Sequence, residues 1–228
     1  MNKSKILAAS NIAILSYFTT FILRLFSNLI LTRLLFPEAF GLIAIVQTVM
    51  LGAVLLSDVG LNLSLIQNKK GEESSFVNTV WTMRIIQSLI IWILLSLLAP
   101  AFAFLYTEPS IASLLPVLSF SLVINGFIST NIFTSIRKLN LLRIESLQIL
   151  SFLIEILITI FIAYYWESVW ALVLGGLIGA TIKTTLSHII IPGIRNCFYL
   201  DKNIVAENIN FGKWIIISSA LTFLNGEG

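Results

Sequence analysis

The sequence predicts an all-α, polytopic bundle of transmembrane helices, with six spanning helices and the start of a seventh. Hydrophobic residues make up 57% of the chain and charged residues only 11%, whereas a water-soluble domain carries about 25% charge. Apolar runs of roughly 20 residues or more recur, and each is long enough to cross a hydrocarbon core of about 30 Å. Because lipid offers no hydrogen bonds to a lone strand, these runs are predicted to be helices.

The helices follow from the order of these apolar runs and from the residues that interrupt them. Pro37 lacks an amide N–H and disfavours helical backbone at the preceding residue, so the first helix is expected to end near Phe36. The N-terminal lysines resemble a signal peptide, but the apolar segment continues without a small-residue cleavage site and is interpreted as a retained helix. The predicted spans are Ala8–Thr32, Phe40–Leu63, Phe76–Phe104, Ile111–Phe133, Leu147–Trp166 and Val169–Ile191.

The last apolar run is shorter than the others. Phe211–Leu224 would form roughly 21 Å of helix, which is less than the hydrocarbon core requires. The sequence therefore predicts three parts: residues 1–195 form a six-helix membrane lobe, residues 196–210 form a cytoplasmic linker, and residues 211–228 hold the truncated start of a seventh helix.

Lys and Arg lie mostly in the loops on one side of the predicted bundle, whereas the other side carries Arg33. Cytoplasmic loops of membrane proteins are enriched in these residues, so the N-terminus is predicted to be cytoplasmic. Trp166 and Trp170 bracket a turn on the other side, where amphipathic rings favour the membrane interface. The basic residues of the first side are Lys3, Lys5, Lys69, Lys70, Arg137, Lys138, Arg143, Arg195, Lys202 and Lys213.

Several classes of protein are disfavoured by composition. The net charge is only +3 and is spread over loops, which argues against nucleic-acid binding. One cysteine, Cys197, and one histidine, His188, offer neither a disulfide framework nor a clustered metal site, and no cofactor is predicted. A membrane glycan polymerase or acyltransferase would need converging catalytic groups, so a non-enzymatic role is favoured.

Five ionisable residues fall within the predicted spans: Arg24, Asp58, Arg84, Glu155 and Lys183. Glu155 and Lys183 each lie about 12 Å from the basic side on neighbouring antiparallel helices, so a buried ion pair is predicted. Asp58 and Arg84 lie near the same side of the second and third helices, and a second pair is predicted. The alternative for both pairs is mutual neutralisation without any further functional role.

Arg24 has no acidic residue at a matching depth, about 12 Å from the other end of its helix. Tyr17, Thr20, Ser27 and Asn28 recur beside it at helical spacing and predict a wall that faces water. A free guanidinium there suits a phosphate, which it can bind through two parallel hydrogen bonds. The alternatives are satisfaction by backbone carbonyls, by further protein, or by reaching the interface.

Two further features of the spans bear on a substrate site. Asn125 in the fourth span is a candidate to line the cavity, or else to join helices by hydrogen bonds. Gly175, Gly176 and Gly179 in the sixth span are expected to permit close helix packing, with a hinge as the alternative.

The first two helices also carry a sequence motif. It reads Arg33-Leu34-Leu35-Phe36-Pro37-Glu38-Ala39-Phe40-Gly41, then Asp58-Val59-Gly60-Leu61, and ends Leu65-Ile66-Gln67. This pattern resembles the polysaccharide transporter family, the oligosaccharide-lipid flippases of the multidrug, oligosaccharidyl-lipid and polysaccharide exporter superfamily. The resemblance implies one lobe of a two-lobed transporter, corresponding to the N-terminal half of a family member.

The resemblance implies a bacterial cytoplasmic membrane protein that flips polyprenyl-pyrophosphate-linked oligosaccharide repeat units for surface polysaccharide biosynthesis. Its partners would be the lipid-linked oligosaccharide, the lipid bilayer, and a coupling cation or proton. The alternative within the superfamily is an ion-coupled antiporter of drugs or other small molecules, in which Asp58 would serve as the ion or proton site.

Overall fold

The computed structural model describes residues 3–57 and 60–212, and these residues are helical apart from short connections and one extended segment. No strand occurs in the described ranges, so the predicted all-α class is confirmed. The helices are α1 Lys3–Leu34, α2 Pro37–Ser57, α3 Leu61–Gln67, α4 Ser74–Leu105, α5 Ile111–Gly126, α6 Asn131–Arg137, α7 Leu141–Trp166 and α8 Trp170–Ile190. Residues 202–212 are also helical.

Five of these helices, α1, α2, α4, α7 and α8, are long and apolar enough to cross a membrane. A sixth span exists if α5 and α6 are counted together, although the two helices are bent by 63° at the break between them. The predicted polytopic bundle is therefore confirmed. The predicted seventh helix lies outside the described residues except for Phe211 and Gly212.

The first hairpin forms where proline places it. α1 ends at Leu34 and α2 begins at Pro37, because proline fits the first helical position, where no intrahelical N–H bond is needed. Leu35 still donates its amide to Leu31 O, so the chain leaves α1 without a gap in hydrogen bonding.

The second predicted span is not one continuous helix. α2 ends at Ser57, and α3 begins at Leu61 after Gly60, whose φ of 65° is left-handed. Glycine adopts this conformation without a steric penalty, and it interrupts the helix. Asp58 lies outside the described residues.

The fourth predicted span is also broken, which corrects the prediction of a single helix over Ile111–Phe133. α5 stops at Gly126 and α6 starts at Asn131. Ser129 and Asn131 supply the local reason, because the Ser129 hydroxyl accepts the Asn131 amide at 3.3 Å. Short polar side chains of this kind compete with the helical hydrogen bonds of the backbone.

Helix pairs α4–α5, α7–α8, α1–α7 and α5–α8 make the main packing contacts. α1 and α7 both begin at the end of the bundle where Lys69, Arg143 and Arg195 also lie, which we call the basic end. The largest apolar cluster joins α2, α4, α5 and α8 around Val46, Ala99, Leu115 and Val173.

After α8, the chain returns as an extended segment, residues 192–201, along the first turns of α4. Backbone amides of alternate residues are bonded to α4 side chains: Cys197 to Asn78, Tyr199 to Thr82, and Asp201 to Thr79. We call residues 192–201 the strap. It fixes the helical residues 202–212 against α3, where Asn68 donates to Glu207 at 2.8 Å.

Candidate functional site

Three cavities that share lining residues run between the helices of the bundle. The Arg24 cavity, of about 400 Å³, is bordered by α1, α2, α5, α7 and α8. It shares Gln47, Phe152 and Glu155 with a central cavity of about 260 Å³, which also contains Lys183. The third, the Arg84 cavity, has about 250 Å³ and shares Asn125 and Lys183 with the central cavity.

Arg24 lies on the wall of the largest of these cavities, as the sequence led us to expect. Its guanidinium carbon is 5.9 Å from the centre of the Phe152 ring, and Ser27 and Asn28 line the same space. Tyr17 and Thr20 do not line any of the three cavities, and the Tyr17 side chain is 75% exposed. Binding roles for Tyr17 and Thr20 therefore stay predictions.

Arg24 has an acidic neighbour that the depth argument missed. Glu155 lines the Arg24 cavity together with Arg24. The reason is the packing of α1 along α7 in the same direction, which the Ser16 hydroxyl fixes by donating to the Glu145 carboxylate. Roughly two turns further along both helices, Arg24 reaches Phe152, and Glu155 follows within one turn.

Glycine on α8 makes room for Glu155. A Cβ atom at Gly179 would meet Glu155 Oε2 at 2.5 Å, and one at Gly175 would overlap Thr159. Glu155 and Thr159 are four residues apart on α7, and Gly175 and Gly179 are four residues apart on α8. The contacts Glu155–Gly179 and Thr159–Gly175 therefore follow one another along the seam between the two helices. The expected packing role is supported at these two glycines.

Glu155 and Lys183 line the central cavity together, but they are not at one depth. Glu155 faces Gly179, and Lys183 lies one turn, or about 6 Å, further along α8 towards the basic end. In the described residues, the ion pairs within 4.0 Å are Lys70–Glu207 and Lys138–Glu72. Glu155 and Lys183 were predicted to form an ion pair. In the structure they line the same cavity without an ion-pair contact.

Arg84 connects the two halves of the broken span. One terminal nitrogen donates to Asn125 O at 3.4 Å, and the guanidinium carbon lies 4.9 Å from the centre of the Phe133 ring. The other terminal nitrogen, Nη1, is buried and has no hydrogen-bond partner in the part of the chain that the structure describes. The predicted partner of Arg84, Asp58, lies outside that part.

The backbone at the break between α5 and α6 is satisfied by side chains of α4 and α8. Trp81 Nε1 and His188 Nε2 both donate to Phe127 O, at 3.3 and 2.9 Å. Thr184 donates to Ile124 O, and the Ser129 amide donates to Ser187 Oγ at 2.9 Å. These bonds pair backbone groups at the break with side chains inside the bundle, as non-helical backbone within a membrane requires.

Sequence reasoning missed several residues of the cavities and of the break. Gln47, Gln148 and Phe152 line cavities, and each reads as an ordinary spanning-helix residue. A signal was present for Ser187, because it lies four residues from Lys183 and three from Thr184 along α8, spacings that place side chains on one face. Asn125, which was predicted, lines the central cavity, the Arg84 cavity and a further space beside Gln87.

The fold and cavities define a multi-pass helical membrane protein whose interior carries charged and amide side chains. A sequence profile of the polysaccharide biosynthesis protein family matches residues 30–228. The chain therefore belongs to that family, which confirms the resemblance seen in the first hairpin.

One curated relative is the lipopolysaccharide biosynthesis protein WzxC of Escherichia coli (strain K12), which is 24% identical over 201 residues. The alignment covers 86% of this chain and 40% of WzxC, so the chain spans about two fifths of that relative. No solved structure matches the chain.

Proposed function

We propose that this chain forms one lobe of a flippase that moves polyprenyl-pyrophosphate-linked oligosaccharide repeat units across the bacterial cytoplasmic membrane. The products would be surface polysaccharides such as O-antigen, capsule or exopolysaccharide, and the role is transport and not enzymatic catalysis. The family supports a part in polysaccharide biosynthesis. The observation that carries the proposal is Arg24 on the wall of the largest of the three cavities.

A guanidinium is suited to the head group of this substrate. Its planar donors can bind a phosphate through two parallel hydrogen bonds, and such bonds are stronger between charged groups than between neutral ones. Asn28 and Ser27 add neutral donors beside Arg24. The prenyl tail would remain in the bilayer, since exposed apolar side chains such as Leu25, Phe26 and Leu29 surround this part of α1.

We place the basic end of the bundle in the cytoplasm, together with the N-terminus. Lys69, Lys70 and Arg143 lie at that end, and the positive-inside rule favours their retention in the cytoplasm. The first 195 residues would be the N-terminal lobe, residues 196–210 its cytoplasmic linker, and residues 211–228 the start of the next helix. Alternating access would then arise from rocking of two such lobes around the cavity.

Glu155 is the proposed site for a coupling cation or proton. It lines both the Arg24 cavity and the central cavity, so it lies between Arg24 and Lys183. A proton or cation on Glu155 would cancel the charge that competes with substrate phosphate for Arg24. Loading of the carboxylate and binding of the anion would therefore favour each other.

The test is the membrane sidedness of lipid-linked oligosaccharide in cells that lack the intact gene. Substrate is expected to accumulate in the inner leaflet, and restoring the gene should relieve the accumulation. Arg24→Ala should abolish relief while membrane levels stay normal, and Arg143→Ala, a matched change at an exposed arginine of α7, should relieve as the wild type does. Wild-type transport by Arg24→Ala would refute the role of Arg24. If lipid-linked oligosaccharide did not accumulate in cells without the gene, the flippase function would be refuted and antiport of small molecules would be favoured.

A further inference from the structure

The Arg84 cavity is cationic at one end and apolar along its walls. Arg84 and Lys183 supply two positive charges, and Asn125 and Gln148 supply amides. No carboxylate is among its lining residues in the described part of the chain. The apolar walls come from α6, α7 and the short connection between α5 and α6: Ile128, Ile132, Phe133, Ile144 and Leu147.

Arg84 lines this cavity and has one unpaired donor among the described residues. A guanidinium has five N–H donors, and the contacts to Asn125 O and the Phe133 ring fix its plane. Its Nη1 is nevertheless buried without a partner in the described residues. A buried donor without a partner is unfavourable. Because Nη1 is closed off from the cavity, the Arg84 side chain must shift before an acceptor in the cavity can bind Nη1 and remove this penalty.

Lys183 is placed to act with Arg84. It lines the cavity, and its ammonium forms no ion pair within 4.0 Å among the described residues, whose ion pairs involve other side chains. An ammonium and a guanidinium on one small cavity repel each other unless an anion lies between them. Two cations with amides beside them are suited to a diphosphate more than to a single carboxylate.

This cavity is separate from that of Arg24. The central cavity connects them, and Glu155 lies on its wall. The Glu155 carboxylate repels a phosphate in the central cavity. An anion therefore has two favourable positions, one at Arg24 and one at Arg84 and Lys183, which are separated by an unfavourable position beside Glu155.

We propose that the Arg84 cavity is a second phosphate-binding site, which binds the pyrophosphate and the first prenyl unit of a polyprenyl pyrophosphate before it reaches Arg24. The proposal rests on the proposed function, because it assigns the same lipid pyrophosphate to both positions. Arg84 and Lys183 bind the phosphates, and the apolar walls of α6 and α7 contact the prenyl unit. The site lies towards the basic end, where the substrate would enter.

The test is equilibrium binding of farnesyl pyrophosphate to the purified chain in nanodiscs. Two sites per chain are expected. Arg84→Gln and Lys183→Gln should each weaken one site by about tenfold, the loss expected for a charged hydrogen bond, and Arg24→Gln should weaken the other. Arg143→Gln and Lys69→Gln, matched changes at exposed cations, should leave both sites intact.

Two further probes separate the contributions of head group and tail. Inorganic pyrophosphate should bind the Arg84 site more weakly than farnesyl pyrophosphate does, and farnesol should not bind it. Thermal unfolding shows which variants are folded. If Arg84→Gln does not fold, Lys183→Gln still tests the site, because Arg84 and not Lys183 contacts both α5 and α6.

The outcomes distinguish this inference from the proposed function. A single site that is weakened by Arg24→Gln and unaffected by Lys183→Gln would overturn the second site and leave the flippase intact. Absence of farnesyl pyrophosphate binding to the folded wild-type chain would overturn both. Equal affinities for farnesol and farnesyl pyrophosphate would show that only the apolar chain is bound, and this result would overturn the proposed phosphate site.

Discussion

Gly175 and Gly176 are neighbours on α8 that should respond oppositely to the same substitution. A Cβ at Gly175 would overlap the Thr159 hydroxyl, and it would lie 2.9 Å from Thr159 Cβ and 3.3 Å from Thr159 Cα. Rotation of the Thr159 side chain moves its hydroxyl and methyl groups but not Cβ or Cα, so α7 and α8 would have to separate. A Cβ at Gly176 would meet Leu118 Cδ1 at 3.6 Å, which is ordinary van der Waals contact.

The size of the difference follows from two opposing effects. Overpacking a core costs about 1–3 kcal/mol, whereas Gly→Ala in a helix gains up to about 1 kcal/mol in propensity. Gly175→Ala is therefore expected to lower the free energy of unfolding by about 1 kcal/mol. Gly176→Ala has only the favourable effect, so the two variants should differ by about 2 kcal/mol.

Thermal unfolding of both variants in the same detergent would measure this difference. Each is the control for the other, because the residue change and the helix are the same. Gly175→Ala should unfold below the wild type, and Gly176→Ala at or above it. Equal midpoints, or the reverse order, would refute the seam between Thr159 and Gly175.

Three further predictions concern other contacts. Gly179→Ala should destabilise the wild type but have little effect in a Glu155→Ala background, because the atoms that obstruct the added methyl are then absent; additive unfolding free energies would contradict this. Ser187→Ala should cost about 1–3 kcal/mol in thermal or denaturant unfolding, because the buried Ser129 amide loses its acceptor; an unchanged midpoint would contradict the bond. Asn78→Ala removes two hydrogen bonds to Cys197, so it should lower the free energy of unfolding by about 1–2 kcal/mol, and an unchanged unfolding midpoint would mean that the strap is held elsewhere.

The linear sequence predicted those features that depend on one segment at a time. The α1–α2 turn followed from Pro37, and the number of spans followed from the length of apolar runs. The break after Gly126 was not predicted, because the polar residues that follow it, Ser129 and Asn131, can also be part of a continuous helix. What permits the break is a set of donors and acceptors on α4 and α8, such as Trp81 and Ser187, which are distant in sequence.

The residues of the candidate functional site were likewise predicted only in part from the sequence. Sequence identified Arg24, Arg84, Glu155 and Lys183 as unusual, because a charge within an apolar run is expensive wherever the helix packs. It did not identify Glu155 as a neighbour of Arg24. Depth along a helix was estimated from predicted ends, and α7 begins at Leu141 and not at Leu147, which alone moves Glu155 by about 9 Å relative to its helix start.

The amino-acid sequence by itself determined that the chain is a helical membrane protein, where its first hairpin turns, and which charges lie inside the bundle. These properties arise from the solvation and backbone preferences of single segments. The tertiary structure decided that Glu155 lies between Arg24 and Lys183, and that Arg84 holds the broken span and keeps one donor free. Such relations depend on the register between helices, which is fixed by contacts such as Thr159 on Gly175 that no single segment contains.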